Sequence, residues 1–120
     1  GVSETSTEKD AIKLAEKIAN SRNFEEENGK INLSIKEVGG DILSVSQFTL
    51  YADVRKGNRP SFTNAASGDK AKVLYEKFNQ ALESYDITVK TGFFGEDMDV
   101  KLTNDGPITI IYEAQEGKIL

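Results

Sequence analysis

This sequence contains no cysteine and no histidine. Without thiols there are no disulfides, no thiolate nucleophile and no cysteine-bound zinc, a composition that fits a reducing compartment. Without imidazoles there is no Ser-His or Cys-His couple and no HExxH zinc motif. Any catalysis must run through carboxylates, lysine, hydroxyls, backbone amides or the substrate itself. No run of about 18 apolar residues occurs, so no membrane span is expected. The polar, acidic start Gly1-Val2-Ser3-Glu4-Thr5 does not read as a signal peptide. Positive charge is also in short supply: 15 Lys and Arg face 20 Asp and Glu, a net −5. That balance argues against a general nucleic-acid binder, because phosphate binding rests on Lys and Arg. A local basic patch can still override the total.

What is present suits one domain over residues 1–120, with 38% hydrophobic residues for a single modest core. Residues 1–6 are expected to be disordered or cut off from preceding structure. Thr7 predicts a helix N-cap, followed by Glu8 and Asp10 in the first turn. Ala11, Leu14, Ala15 and Ile18 fall at i, i+3, i+4 and i+7, and Ile12 and Ala19 widen the stripe. Asn28-Gly29 predicts a two-residue type I′ hairpin between Phe24 and the alternating Ile31, Leu33 and Ile35. Ser67 caps a second predicted helix from Asp69 to about Ser84, with Ala71, Leu74, Phe78, Ala81 and Leu82 on its apolar face and Tyr75 beside it. Ile87 to Thr91, Asp99 to Thr103 and Ile108 to Tyr112 read as strands, and residues 114–120 as a tail. The fold class is therefore α+β, a mostly antiparallel sheet or partial β-barrel with two helices.

The central predicted strand, Asp41 to Tyr51, is the unusual one. Ser46, Gln47 and Thr49 interrupt an apolar run whose two faces both read as covered. A hydroxyl or amide buried without a partner costs about 1–3 kcal/mol. Two readings stay open: a satisfied polar network, or a site that uses these groups. A bare Ser or Thr is a weak nucleophile without a base, so the more natural catalytic use is backbone N–H groups receiving an oxyanion. Arg55, Lys56 and Arg59 form the densest basic patch, either a phosphate-binding loop or ordinary charged surface. Gly106-Pro107 reads on its own as a plain trans turn, since cis X-Pro bonds are uncommon. Phe93, Phe94 and Met98 read as core rather than pocket wall. Asp97, Asp99 and Asp105 lack the spacing of a calcium loop, so no metal is assigned. Gly92-x-x-Gly95 is too short and too aromatic for a phosphate loop.

Taken together, these residues resemble the D-aminoacyl-tRNA deacylases, also called D-tyrosyl-tRNA deacylases. Ser46-Gln47-Phe48-Thr49-Leu50 matches the family's SQxxL signature, and Asn104-Asp105-Gly106-Pro107-Ile108-Thr109 matches its NxGPxT signature. Lys56 to Phe62 and Gly95 to Val100 follow the family pattern between them, and the likeness runs from about Lys13 to Tyr112.

The resemblance implies a deacylase-like fold and a cytoplasmic, cofactor-free homodimer. Such an enzyme hydrolyses the ester between a D-amino acid and the 3′ end of tRNA, a chiral proofreading step in translation. It further implies that Gly106-Pro107 is a cis step crossing into the partner's pocket, where its carbonyls hold the α-amino group and exclude an L side chain. The main chain at Gln47 and Phe48 would hold the reacting carbonyl or the terminal adenosine. Thr49 would be either a nucleophile or a bystander to assistance from the tRNA 2′-hydroxyl. Ser46, Phe62 and Met98 would line the pocket, and Arg55, Lys56 and Arg59 would meet tRNA phosphates. Family members begin with further strands before the first helix, one of them carrying an Arg that buttresses the glycine-proline step. Either a start that precedes Gly1 is absent from this sequence, or the chain is an N-terminally shortened form. The alternatives are a non-catalytic nucleic-acid-binding protein of the same fold and an inactive fragment.

Overall fold

The computed structural model describes residues Gly1 to Leu120. Two capped helices carry the architecture. α1 spans Glu8–Asn20, and Thr7 closes its first turn reciprocally: the Thr7 hydroxyl accepts from the Asp10 N–H while the Asp10 carboxylate accepts from the Thr7 N–H. α2 spans Gly68–Glu83, with the Ser67 hydroxyl accepting from the Lys70 N–H. The helices pack against each other, and Ala11, Ala15 and Ala19 of α1 and Leu74, Asn79 and Leu82 of α2 are buried. Both helices and both caps stand where the sequence puts them. Ile12 departs from its expected stripe and lies 47% exposed.

Six short strands pair into three separate ribbons. β1 (Phe24–Glu25) and β2 (Ile31–Leu33) are antiparallel across the Asn28-Gly29 turn. The turn is longer than expected. Only Gly29 has positive φ (+81°), its N–H donates to the Glu26 carbonyl, and the Glu26 N–H donates to the Lys30 carbonyl. A turn closed by one left-handed glycine serves here in place of type I′. β3 (Ile42–Ser44) and β4 (Val89–Thr91) are parallel. β5 (Ala114–Gln115) and β6 (Lys118–Ile119) form a hairpin where a plain tail was expected. Its Glu116-Gly117 turn has positive φ at both residues (54° and 74°), which is the type I′ signature. The architecture is α+β, but the sheets are small and open, so the partial barrel is not formed. A small core of Ala19, Ile35 and Ile87, flanked by Ile42, Tyr85 and Val89, joins α1 to the β3–β4 ribbon.

The hairpin is tied to α1 by Asp10, which is buried. Its Oδ1 accepts from the Gly117 N–H at 2.7 Å and its Oδ2 from the Thr7 N–H at 2.9 Å. Burial pushes this carboxyl up, but the hydrogen bonds from Gly117 and Thr7 outweigh it and hold it below its usual 3.8. Asp10→Ala leaves two N–H groups without acceptors and is expected to cost about 2 kcal/mol at neutral pH. Because the folded value is depressed, that contribution is complete above pH 3.8 and disappears as pH falls through the folded value. Urea midpoints of wild type and Asp10→Ala, well separated at pH 7, are therefore expected to converge in acid.

Other expectations are corrected by the structure. Residues 2–4 are ordered, not disordered: the Ala66 N–H donates to the Val2 carbonyl and the Glu4 N–H to the Asn64 carbonyl. The central strand stops at Ser44, and Phe48–Tyr51 wind into a 3-10 turn. Gln47, Phe48 and Thr49 are exposed and Ser46 half-buried, so the burial problem posed by the polar interruptions does not arise. Residues 99–103 and 108–112 form no strands, because neither segment has a hydrogen-bonded partner strand. No peptide bond is cis, so Gly106-Pro107 is trans. The step lies in an exposed, irregular segment where nothing offsets the ordinary trans preference of about 0.5–1 kcal/mol. Phe93 is 79% and Met98 40% exposed, so neither is core. No helix is long and apolar enough to cross a membrane.

Candidate active site

The segment that follows β3 builds one side of a cleft of about 590 Å³. Val45, Ser46, Gln47 and Phe48 line it there, and the loop Phe94 to Met98 forms the opposite wall. Val2 and the start of α2, at Gly68 and Ala71, complete it. The 3-10 turn that begins at Phe48 has no side-chain cap, so its first N–H groups have no partner within the turn.

Thr49 and Phe62 stand one contact back from the lining. The Gln47 side-chain amide donates to the Thr49 hydroxyl at 2.6 Å. The Phe62 ring meets Phe48 edge-on, with centroids 5.1 Å apart. Ser46, Gln47, Phe48 and Met98 are thus brought together, with Thr49 and Phe62 supporting them. Gly106 lies elsewhere, in a groove shared with Phe24, Ile42, Ile108, Ile110 and Tyr112. Pro107 lines neither that groove nor the cleft. Within one chain the two signatures do not share a pocket.

The basic loop is closed at its base by Asp53 and Ser61, each donating its N–H to the other's carbonyl at 2.7 and 2.9 Å. Phe62 follows immediately, so the loop springs from the edge of the aromatic pair. Arg55 is already engaged: its Nε and Nη2 donate to the Asp53 carboxylate at 2.9 and 2.7 Å. The Arg55 side-chain bond, with the Arg55 N–H, draws Asp53 down to about 2 and raises Arg55. No such ion pair holds Lys56 or Arg59.

Three features of the site escaped the sequence reading. Glu96 and Asp97 are the only charged residues lining the cleft, so its field is negative. Tyr75 donates its hydroxyl to the Ser44 carbonyl at 2.6 Å and stacks at 5.8 Å on Phe94, which ties the two walls together. A tyrosine beside an apolar helix face, needing a partner for its hydroxyl, was the available signal. Gly92 is the third: a Cβ there would overlap Met98 Sδ.

The body is small, open and α+β, and a polar backbone turn without a side-chain cap lines a cleft whose charged residues are Glu96 and Asp97. Residues 1–113 match the family described as D-Tyr-tRNA(Tyr) deacylase, and the chain belongs to that family. It is 62% identical over 120 residues to a D-aminoacyl-tRNA deacylase of Staphylococcus haemolyticus, an alignment covering 100% of this chain and 80% of that protein. It is 60% identical over 119 residues to the same-named protein of Staphylococcus aureus, covering 99% and 79%. Among solved structures it resembles the c-Myc DNA Unwinding Element Binding Protein. The TM-score is 0.82 at 39% identity, over 92% of this chain and 75% of the other.

Proposed function

We propose that this protein is a hydrolase that cleaves the ester of D-aminoacyl-tRNA, releasing the D-amino acid and tRNA. The carrying observation is the polarity of the cleft and its surroundings. Glu96 and Asp97 line it without a cation, and a loop bearing Lys56 and Arg59 rises at its aromatic rim. An aminoacyl-tRNA end has the complementary pattern, an α-ammonium on the acyl group and phosphates a few bonds away. In this reading the ammonium enters the acidic cleft, and the main chain at Gln47 and Phe48 receives the carbonyl oxygen as charge develops on it. Water adds to the carbonyl, and the ribose 3′-oxygen leaves with a proton. Ser46, Phe62 and Met98 shape the acyl pocket, and Lys56 and Arg59 meet phosphates, with Arg55 held in reserve by Asp53. A non-catalytic nucleic-acid binder would use the same loop but has no use for the acidic cleft.

The reading includes a homodimer in the cytoplasm. Gly106 and Pro107 complete the pocket from the second copy, in the trans form. Support comes from the apolar surface around that step: Leu102 is 63%, Ile108 54% and Ile111 81% exposed, and such surface commonly marks an interface. The test is release of tyrosine from tRNA charged with D-Tyr or L-Tyr, together with the solution mass. Rapid D-Tyr release, intact L-Tyr-tRNA and twice the 13.2 kDa chain mass are expected. Equal rates for the two, or no D-Tyr release, overturn the reading.

The Asp53–Arg55 pair supplies a separate check. At physiological pH Asp53 is fully ionised, since its pKa is lowered to about 2. Asp53→Asn frees Arg55, so tRNA is expected to bind more tightly at low salt. The plot of log K against log salt should steepen by about 0.7–0.9, as one more phosphate contact predicts. An unchanged slope in a filter-binding titration would show that Arg55 does not reach the tRNA.

A further inference from the structure

We propose that Asn28 is a site of spontaneous covalent modification, where the Asn28-Gly29 turn closes to a succinimide and opens again to aspartate and isoaspartate. Eight asparagines occur in the chain, and Asn28 alone is followed by glycine. Ring closure brings the main-chain nitrogen of the next residue onto the asparagine side-chain carbon, and a Cβ on that residue stands in the way. Gly29 has none, and nothing lies within 4 Å of where one would be. The turn needs glycine there for its φ of +81°, so the fold itself keeps the reactive pair. Both residues are exposed, so water and hydroxide reach them. The side-chain carbonyl is already oriented: Asn28 Oδ1 accepts from the Lys30 N–H at 3.0 Å, a donor placed to hold the oxyanion as the nitrogen adds.

Hydroxide removes the Gly29 amide proton, and the Gly29 nitrogen bonds to Asn28 Cγ. The Cγ–Nδ2 bond breaks, and its nitrogen leaves as ammonia with a proton from water. Water then adds to either imide carbonyl, giving aspartate or isoaspartate. One contact opposes closure: the Gly29 N–H donates to the Glu26 carbonyl at 2.9 Å. Such a bond contributes about 0.5–1.5 kcal/mol, so releasing it slows the reaction about tenfold at most. The ribbon around it has strands of two and three residues and opens locally at little cost.

The products alter more than one side chain. Each adds a negative charge beside Glu25, Glu26 and Glu27, on a chain already at −5. Isoaspartate also lengthens the main chain between Glu26 and Lys30, whose N–H and carbonyl close the turn, and so disturbs the Phe24–Leu33 and Glu25–Ile31 register. Phe24 lines the groove that holds Gly106, and Asn23 beside it donates to the Tyr112 hydroxyl at 2.9 Å. Modification at Asn28 therefore loosens one wall of that groove as the protein ages.

The test is incubation of the full chain at physiological pH and temperature, followed by ion-exchange chromatography and peptide mapping, beside the free peptide of residues 23–30. An acidic species with the mass gain of amide to acid at Asn28 is expected. It should form at least about tenfold faster than at any other asparagine, and at no less than about one tenth of the rate in the free peptide. Its isoaspartate fraction should lose hydrogen-exchange protection at the Glu26 and Gly29 amides. Asn28→Gln needs a larger ring to close, and is expected to stay unmodified and keep that protection. Modification first at another asparagine, a rate further below that of the peptide, or intact protection in the isoaspartate fraction overturns the proposal.

Discussion

A substrate whose terminal ribose lacks the 2′-hydroxyl is expected to lose its D-amino acid at least 100-fold more slowly, while Thr49→Val costs less than about tenfold. The first figure is the lower end of what a positioned proton-transfer group contributes. The argument begins from the surroundings of Thr49. Its hydroxyl accepts a hydrogen bond from the Gln47 amide, a neutral donor that cannot take the Thr49 proton. The sequence holds no histidine to do so, and a threonine without a base is a poor nucleophile. Water can replace it as attacking group, but the departing 3′-oxygen still needs a proton close by. The neighbouring 2′-hydroxyl of the substrate lies within reach of that oxygen and brings its own proton. On the proposed reading the protein then supplies position and charge: the Gln47 and Phe48 backbone at the carbonyl and the acidic wall at the ammonium. The measurement is single-turnover release of D-Tyr from 2′-hydroxyl and 2′-deoxy substrates by wild type and Thr49→Val. A 2′-deoxy substrate cleaved at the normal rate, with Thr49→Val inactive and an acyl-enzyme trapped in wild type, would reverse the assignment.

The parts of this molecule that could be read from sequence are those decided within one or two turns of chain. Thr7 and Ser67 cap helices because their hydroxyls meet backbone N–H groups three residues on. The Asn28-Gly29 hairpin follows from one glycine with a left-handed backbone. Strands fared worse, because a strand is stable only against a partner and the sequence does not name the partner. Ile108 to Tyr112 has strand-like residues yet pairs with nothing, whereas the polar stretch Ala114–Gln115 pairs with Lys118–Ile119 because Glu116-Gly117 makes a tight turn. Ser46, Gln47 and Thr49 stand out in the sequence as polar residues in an apolar run, but the physical reason is different from the one the pattern suggests. The pattern reads as polar groups in a buried strand, whereas the strand ends at Ser44, Ser46 is half-buried after it, and Gln47 and Thr49 are exposed at the turn that follows. The two signatures were legible as sequence, but their separation into the cleft and the Gly106 groove was not. Neither was the acidic sign of the cleft, since Glu96 and Asp97 gain meaning only opposite Gln47.

Leu82→Ala is expected to be the most damaging single core change, costing about 3–4 kcal/mol and lowering Tm by about 10–15 °C. Only 10 of 120 residues are buried, and Leu82 is the one large side chain with no exposure at all. It lies on α2, which packs on α1, so the cavity left by truncation opens between the two elements that carry the rest of the fold. A small core has few neighbours able to move in and fill it, which places the cost in the upper half of the range for such substitutions. Net stabilities of domains are about 5–15 kcal/mol, so the loss is a large fraction of what holds the chain folded. The same substitution at Leu74, 9% exposed, reaches the edge of the interface and is expected to cost less. Urea denaturation of both variants, with slopes checked against wild type, provides the test. Equal losses at the two positions would place the structural centre outside the helix pair, in the Ala19–Ile35–Ile87 cluster against β3 and β4. A larger loss at Leu82 places it between α1 and α2, on the helix whose Tyr75 also holds Ser44 and Phe94 across the cleft. Core and site then share one support, and Leu82→Ala should loosen the cleft at temperatures well below its own Tm.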